Sequence, residues 1–178
     1  MNLLHSIKAL GTDSSINVIV EIPSGSQTKT EYDFEQEVFR VDRVLYTKYS
    51  YPFNYGFIPG TWSEDNDPLD VALLSSQSFP TGTLVEARVI GLLITKDEKG
   101  SDAKIIAVPE SKTDPFYAKV NTIDDLDPKV LTDIEHFYKN YKITEPDKWV
   151  DIDGYSSKEE AEKKLAEAIE QYHQHFQK

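Results

Sequence analysis

The chain has 178 residues, a formal net charge of −12 at neutral pH and no cysteine. Its length fits one domain, which we place over residues 1–178, with a strand-rich core at about 17–110 and a helical part at about 127–178. The lack of cysteine excludes disulfides, thiolate metal ligands and a cysteine nucleophile. The acidic balance argues against a protein whose main ligand is the nucleic-acid backbone.

The N-terminal segment 1–7 has no basic start followed by a long apolar run, so it predicts no signal peptide. No stretch of the sequence is apolar over enough residues to cross a bilayer, and we expect no membrane partner. The absence of cysteine fits a reducing compartment. These features together predict a cytoplasmic protein.

The first two thirds of the chain carry β-type patterns. Residues rich in β-branched and aromatic side chains, several of them alternating with polar ones, predict strands at 17–22, 38–49, 70–74, 84–95 and 103–108. The polar segment 96–101 separates the last two strands and predicts a hairpin.

The last third of the chain carries helical patterns. Asp127 and Pro128 suit the N-cap and first position of a helix, whose buried face is predicted at Val130, Ile134, Phe137 and Tyr141. A capping box at 157–160 opens a second helix, with Ala161, Leu165, Ile169, Tyr172 and Phe176 in phase. Strands followed by helices predict an α+β, mainly β fold with a closed or partly closed sheet and helices outside.

The segment 65–71, DNDPLDV, places three carboxylates within six residues, at Asp65, Asp67 and Asp70. Like charges so close raise one another's pKa unless a cation compensates, and carboxylates favour hard divalent metals. An acidic surface turn is the alternative interpretation. An EF-hand calcium loop is excluded, because its sixth and twelfth positions are Asp70 and Ser76 rather than Gly and Glu.

The hairpin tip at 97–104 is a second acidic site. It carries Asp97, Glu98 and Asp102 together with Lys104. Asp102 and Lys104 share one strand face because side chains repeat with a period of two. A face with both a carboxylate and a cation suits a metal–phosphate site, although a solvated charged turn has the same composition.

Two further positions combine charge with a strand pattern. Lys29 and Glu31 would share a strand face, where an ion pair is the simpler explanation. Arg43 interrupts an apolar alternation and is costly to bury unless it is paired. It either neighbours a carboxylate such as Asp42 or faces a polar cavity, where its guanidinium would suit phosphate oxygens.

The segment 51–59, YPFNYGFIP, predicts an aromatic core in which the hydroxyls of Tyr51 and Tyr55 require partners if buried. At the end of the first long helix, core packing is the default explanation for Tyr141, and the helix dipole explains Lys142. The sequence assigns no role to any histidine.

Six motifs in register resemble the family I soluble inorganic pyrophosphatases of the bacterial type. They are DNDPLDV at 65–71, EIPSG at 21–25 followed by KTE at 29–31, VDR at 41–43, YPFNYGFIP at 51–59, DEKGSDAK at 97–104 and HFY with YK at 136–142. The resemblance extends from about residue 19 to about residue 149. Thr30 departs from the aromatic residue that many relatives carry there, which affects the pocket wall and removes no ligand.

The resemblance implies a fold and a set of residue roles. The fold is an OB-like, five-stranded closed β-barrel with two main α-helices packed outside. Metal ions are held by Asp65, Asp70, Asp97 and Asp102, and through water by Glu31. Substrate is bound by Lys29, Glu31, Arg43, Lys104, Tyr141 and Lys142. Asp67 takes the proton from the attacking water, Tyr55 tunes that nucleophile, and Glu21, Tyr51 and Glu98 support the ligands from behind.

The resemblance also implies an activity. Inorganic diphosphate is hydrolysed to two phosphates by direct attack of water, with about three to four Mg²⁺ per active site during turnover, with Mn²⁺ as a possible substitute and with Ca²⁺ as an inhibitor. Short bacterial relatives lead us to expect a homohexamer. The alternatives are a non-catalytic OB-like module that binds nucleic acid and a calcium-binding module; the charge of −12 counts against the first.

Overall fold

The structure is a computed structural model that describes residues 1–98 and 100–176. Over these residues it contains three α-helices, α1 (Leu3–Ser6), α2 (Pro128–Asn140) and α3 (Lys158–Phe176), and two short 3₁₀ helices at Pro115–Tyr117 and Ile123–Asp125. The strands that it describes are β1 (Ile16–Ile22), β2 (Thr28–Asp33), β3 (Val38–Val44), β4 (Asn54–Phe57), β5 (Asp70–Leu73), β6 (Leu84–Asp97), β7 (Gly100–Pro109) and β8 (Val150–Ser156).

Five of these strands form a closed ring. The order is β1-β4-β5-β7-β6, and β6 pairs again with β1. All of these pairings are antiparallel except the parallel one between β5 and β7. β8 adds to the free end of β6, and β2 pairs with β3 in a separate hairpin. The predicted fold class, a closed sheet with helices outside, is confirmed.

The ring is covered by the two long helices. Ala161, Leu165 and Ala168 of α3 belong to the same apolar cluster as the inward-facing residues of β1, β5 and β7. Ile134, Phe137 and Tyr138 of α2 join a second cluster on the other side of the sheet. β1 is therefore buried along its whole length, and each large apolar side chain removed from water there contributes about 2 kcal/mol to folding.

Closure of the ring depends on Gly56 of β4. A Cβ atom at this position would overlap the backbone carbonyl of Ile19 in β1, so no other residue fits without moving a strand. The neighbouring residues Tyr55 and Phe57 pair with Ile22 and Ile19 of β1. The tyrosine-rich segment therefore enters the ring in a register that the glycine makes possible.

Several element boundaries differ from the prediction. The strand predicted over 38–49 ends at Val44, because the chain turns there and Leu45 enters the core. The hairpin of β6 and β7 is tighter than predicted, since pairing extends to Asp97 and Gly100. Residue 99, part of the turn predicted over 96–101, lies outside the described residues. β4 and β8 were not predicted as strands, so the C-terminal part is not wholly helical.

The predicted helices are present. Asp127 accepts a hydrogen bond from Lys129 N and caps α2. α3 begins at Lys158, within the predicted capping box, where Ser157 Oγ accepts from Glu160 N at 3.4 Å. The predicted face of α3 is correct at Ala161, Leu165 and Tyr172, whereas Phe176 is 38% exposed. Within the described part of the chain, no helix combines the length and the apolar character that a membrane crossing requires.

Candidate active site

A cavity of about 450 Å³ opens where the ring meets the β2–β3 hairpin and the end of α2. Nine carboxyl side chains and five cationic side chains among the described residues line it, so its formal charge is negative by four. The lining includes every site residue that the sequence predicted: Glu21, Lys29, Glu31, Arg43, Tyr51, Tyr55, Asp65, Asp67, Asp70, Asp97, Glu98, Asp102, Lys104, Tyr141 and Lys142. The histidines do not contribute to it.

The pairing of β5 with β7 builds the centre of the site. Val71 lies beside Ile105, which brings Asp70 next to Lys104. The ammonium of Lys104 donates to Asp70 Oδ2 and to Asp102 Oδ2, each at 2.7 Å. Burial alone would lower the pKa of Lys104, but the carboxylates of Asp70 and Asp102 raise it well above its usual value. This lysine is therefore a permanent cation at the floor of the cavity.

Tyr55 approaches the same carboxylate from β4. Its hydroxyl donates to Asp70 Oδ2 at 2.5 Å. Burial, with the negative charge of Asp70 and Asp102, raises the pKa of Tyr55 well above its usual value, so the hydroxyl stays a neutral donor. Tyr51 packs on Phe137 with ring centroids 4.6 Å apart, and these two rings form an aromatic wall behind Tyr55.

The loop between β4 and β5 presents Asp65 and Asp67. Ser63 N donates to Asp67 O at 2.8 Å, and Asn66 adopts a positive φ of 63°, so the loop makes a tight turn here, and both carboxylates line the cavity. Partial burial, with Asp70, Asp65 and Glu31 nearby, raises the pKa of Asp67 to about 7. The pKa of Asp65 is also raised, first by burial and then by Asp70.

The β2–β3 hairpin contributes a chain of alternating charges. Lys29 pairs with Glu31 on the same strand and lies 3.5 Å from Asp42. Arg43 donates to Asp42 from Nη1 and therefore meets both alternatives left open by the sequence, since it neighbours Asp42 and faces the cavity. Behind the hairpin, Glu21 accepts from Tyr32 N at 2.7 Å and anchors β2 to β1.

The C-terminal end of α2 delivers the remaining predicted cation. Lys142 donates to Asp97 at 3.1 Å and lies 3.6 Å from Glu98, so it joins the helix end to the tip of the β6–β7 hairpin. Tyr141, one residue earlier, is 9% exposed and stacks on Phe137 with centroids 4.9 Å apart. Burial raises the pKa of Tyr141, so its hydroxyl is a donor at all ordinary pH values.

Several residues of the site were missed at the sequence level. Asp42, Tyr138 and Lys148 line the cavity, and Glu145 lies directly behind it. Asp42 was considered only as a neighbour of Arg43. For Glu145 and Lys148 the available signal was their spacing from Lys142. The three residues are three apart, and one helical turn places such residues together.

The donor set fits a hard divalent metal. Asp65, Asp70, Asp97 and Asp102 offer carboxylate oxygens, the ligands that Mg²⁺ and Mn²⁺ prefer, inside a cavity with an excess of negative charge. In the part of the chain that the structure describes, no three carboxylates converge on one point, since Lys104 stands between Asp70 and Asp102. Cations for phosphoryl oxygens lie along the same cavity.

A closed ring that carries hard-metal ligands beside lysine and arginine side chains is typical of enzymes that act on phosphoryl compounds with the help of divalent metals. The match to a family model narrows this class. The model described as inorganic pyrophosphatase matches residues 18–173, and the chain belongs to that family.

Individual relatives agree with this assignment. A Saccharolobus solfataricus protein named inorganic pyrophosphatase is 52% identical over 155 residues, which are 87% of this chain and 90% of the relative. A Helicobacter pylori protein of the same name is 46% identical over 169 residues, 95% of this chain and 98% of its own. The crystal structure of the Thermus thermophilus inorganic pyrophosphatase matches with a TM-score of 0.92 at 37% identity, over 97% of this chain and 99% of that one.

Proposed function

We propose that this protein hydrolyses inorganic diphosphate to two phosphates in a reaction that depends on Mg²⁺. The observation that carries the proposal is the single cavity in which Asp65, Asp67, Asp70 and Asp102 meet the cations Lys29, Arg43, Lys104 and Lys142. The first set suits hard metals and the second suits the oxygens of a compact phosphoryl anion. Family membership supports the same reaction.

Asp65, Asp70, Asp97 and Asp102 would hold the metal, with Glu31 acting through water. When bound, Mg²⁺ neutralises phosphoryl charge and acidifies water. We expect about three to four ions per site during turnover, as the family resemblance implies, and Mn²⁺ as a substitute. The cytoplasmic location and the homohexamer also stay predictions.

The chain's own groups have separate roles in the step. Lys29, Arg43, Tyr141 and Lys142 bind and orient diphosphate by donating to its oxygens. The carboxylate of Asp67 accepts a proton from water as the water oxygen attacks one phosphorus, and the bridging P–O bond breaks as phosphate leaves. Tyr55 holds Asp70 by its hydrogen bond.

Phosphate release from diphosphate tests the proposal. We expect rapid release with Mg²⁺, none with EDTA, and suppression when Ca²⁺ is added, because Ca²⁺ is larger and tolerates irregular coordination that misplaces the water. Folded protein that releases no phosphate in Mg²⁺ contradicts the proposal. Binding of Ca²⁺ or single-stranded DNA without turnover would favour the two non-catalytic alternatives.

A further inference from the structure

Glu145 is a buried carboxylate just outside the cavity. It lies in the turn after α2, where its backbone N–H donates to Lys142 O at 2.8 Å, and it is only 8% exposed. Its side chain does not line the cavity, yet both side-chain partners among the described residues do. Oε1 accepts from Arg43 Nε at 3.0 Å, and Oε2 lies 3.2 Å from Lys148 Nζ.

The contact with Glu145 determines which part of Arg43 faces the cavity. Asp42 takes the Nη1 edge of the guanidinium and Glu145 takes Nε, which leaves Nη2 without a partner among the described residues. A planar guanidinium held at two points cannot rotate freely, so its remaining donors keep one direction. Because Arg43 lines the cavity, these donors are available to a ligand there.

The pair also joins distant parts of the chain. Arg43 belongs to β3, in the hairpin that forms its own small sheet, and Glu145 follows α2, 102 residues later. Lys142 and Lys148 flank Glu145 and line the same cavity. Glu145 therefore ties the hairpin that carries Arg43 to the segment that carries the opposing lysines.

We infer that Glu145 is a positioning residue for diphosphate binding, which orients Arg43 from behind the cavity and holds Lys148 beside it. The inference rests on the proposed function, because it assigns a purpose to Arg43 in that reaction. A carboxylate is costly to bury, and here the cost is offset by two cations of the site. The role predicts an effect on substrate affinity that exists only while Arg43 is present.

A double-mutant cycle tests this role. The variants are Glu145→Gln, which keeps the shape and removes the charge, Arg43→Ala, and the two together, all assayed for Mg²⁺-dependent phosphate release alongside wild type. Glu135→Gln is the matched control. Glu135 is a glutamate of α2 whose Oε2 lies 3.4 Å from Lys139 Nζ, and it does not line the cavity. Thermal unfolding of each variant accompanies the kinetics.

We expect Glu145→Gln to raise KM for diphosphate about tenfold with kcat within about threefold of wild type, because ground-state binding is what Arg43 supplies. In the Arg43→Ala background the same change should add less than about twofold, since coupled residues are not additive. Glu135→Gln should behave as wild type. If Glu145→Gln is unfolded at the assay temperature, Glu145→Asp replaces it, because it keeps the charge but is too short to reach Arg43 Nε.

Equal losses with and without Arg43 would show a general structural role and overturn the inference. Unchanged kinetics of a folded Glu145→Gln variant would also overturn the inference. The proposed function would still stand in that case, because wild type would release phosphate. If wild type itself released no phosphate, the proposed function would fail and the positioning role with it.

Discussion

The hydroxyl of Tyr55 donates a hydrogen bond of 2.5 Å to Oδ2 of Asp70. Tyr55 lies on β4 and Asp70 opens β5, and the antiparallel pairing of these strands sets Tyr55 opposite Ala72. The bond therefore crosses two neighbouring strands of the ring. It joins the aromatic wall to the carboxylate that also accepts from Lys104.

Removing this hydroxyl should lower the rate without unfolding the protein. Tyr55→Phe deletes a hydrogen bond to a charged group, which contributes about 1.5–3 kcal/mol, so we expect kcat for diphosphate to fall about tenfold or more. Tyr46→Phe is the matched control, because Tyr46 is 77% exposed and does not line the cavity. Steady-state phosphate release measures kcat and thermal unfolding measures stability for both variants. Equal kinetics for the two variants would remove Tyr55 from the mechanism.

Asp67→Asn should separate binding from chemistry. The amide keeps the shape of the side chain but cannot accept the proton, and loss of a general base costs about 10²–10⁴ in rate. We expect kcat to fall by that factor, while calorimetry still detects Mg²⁺ binding. Asp124→Asn, at an exposed position outside the cavity, is the control. A near-normal kcat at saturating Mg²⁺ would remove Asp67 from the role of base.

Lys104→Met should make stability depend more strongly on metal. The change leaves Asp70 and Asp102 without the cation that now lies 2.7 Å from each. Breaking a buried pair in this way costs about 3 kcal/mol, so we expect the free energy of unfolding in EDTA to fall by roughly that amount. Urea unfolding measures it.

Added Mg²⁺ should stabilise Lys104→Met more than it stabilises wild type, because a cation that binds only the folded state raises its stability. Lys139→Met removes an exposed lysine paired with Glu135 and provides the comparison. If the two variants lose equal stability in EDTA, Lys104 does not compensate the negative charges of Asp70 and Asp102.

Asp114 should contribute stability at neutral pH that is lost in acid. It is 5% exposed and accepts from Ser76 N at 2.7 Å, Ser76 Oγ at 3.0 Å and Phe116 N at 3.2 Å. Burial alone would raise the pKa of Asp114, but these hydrogen bonds lower it below its usual value. A carboxyl whose pKa is lower in the folded state stabilises the fold above its unfolded pKa of about 3.9.

We therefore expect Asp114→Asn to lower the free energy of unfolding by about 1 kcal/mol at pH 7. The difference from wild type should shrink as the pH falls below about 4 and disappear below the folded pKa of Asp114. Urea titrations at pH 7, 4 and 3 measure it. A difference that stayed constant over this range would show that ionisation of Asp114 is not the cause.

The site residues that the sequence singled out all line one cavity, whereas two strands and one strand end were missed. Asp65 and Asp67 lie in the turn that leads into β5, whose first residue is Asp70, and Asp102 and Lys104 alternate along one strand, so local geometry alone brings each group together. The end of β3 at Val44 was missed because the residues that follow continue the β-type composition. β8 was missed because Val150–Ser156 is polar and becomes a strand only by pairing with β6.

The sequence by itself determined which chemical groups this protein presents: a cluster of carboxylates of the kind that hard metals prefer, a second acidic tip with its lysine, and cations suited to phosphoryl oxygens. These depend on residue identity and short-range spacing. Only the tertiary structure decided which groups meet across long separations, such as Asp70 with Lys104 and Arg43 with Glu145. Ring closure and the docking of α2 set these contacts, and both depend on the packing of the whole chain rather than on any local pattern.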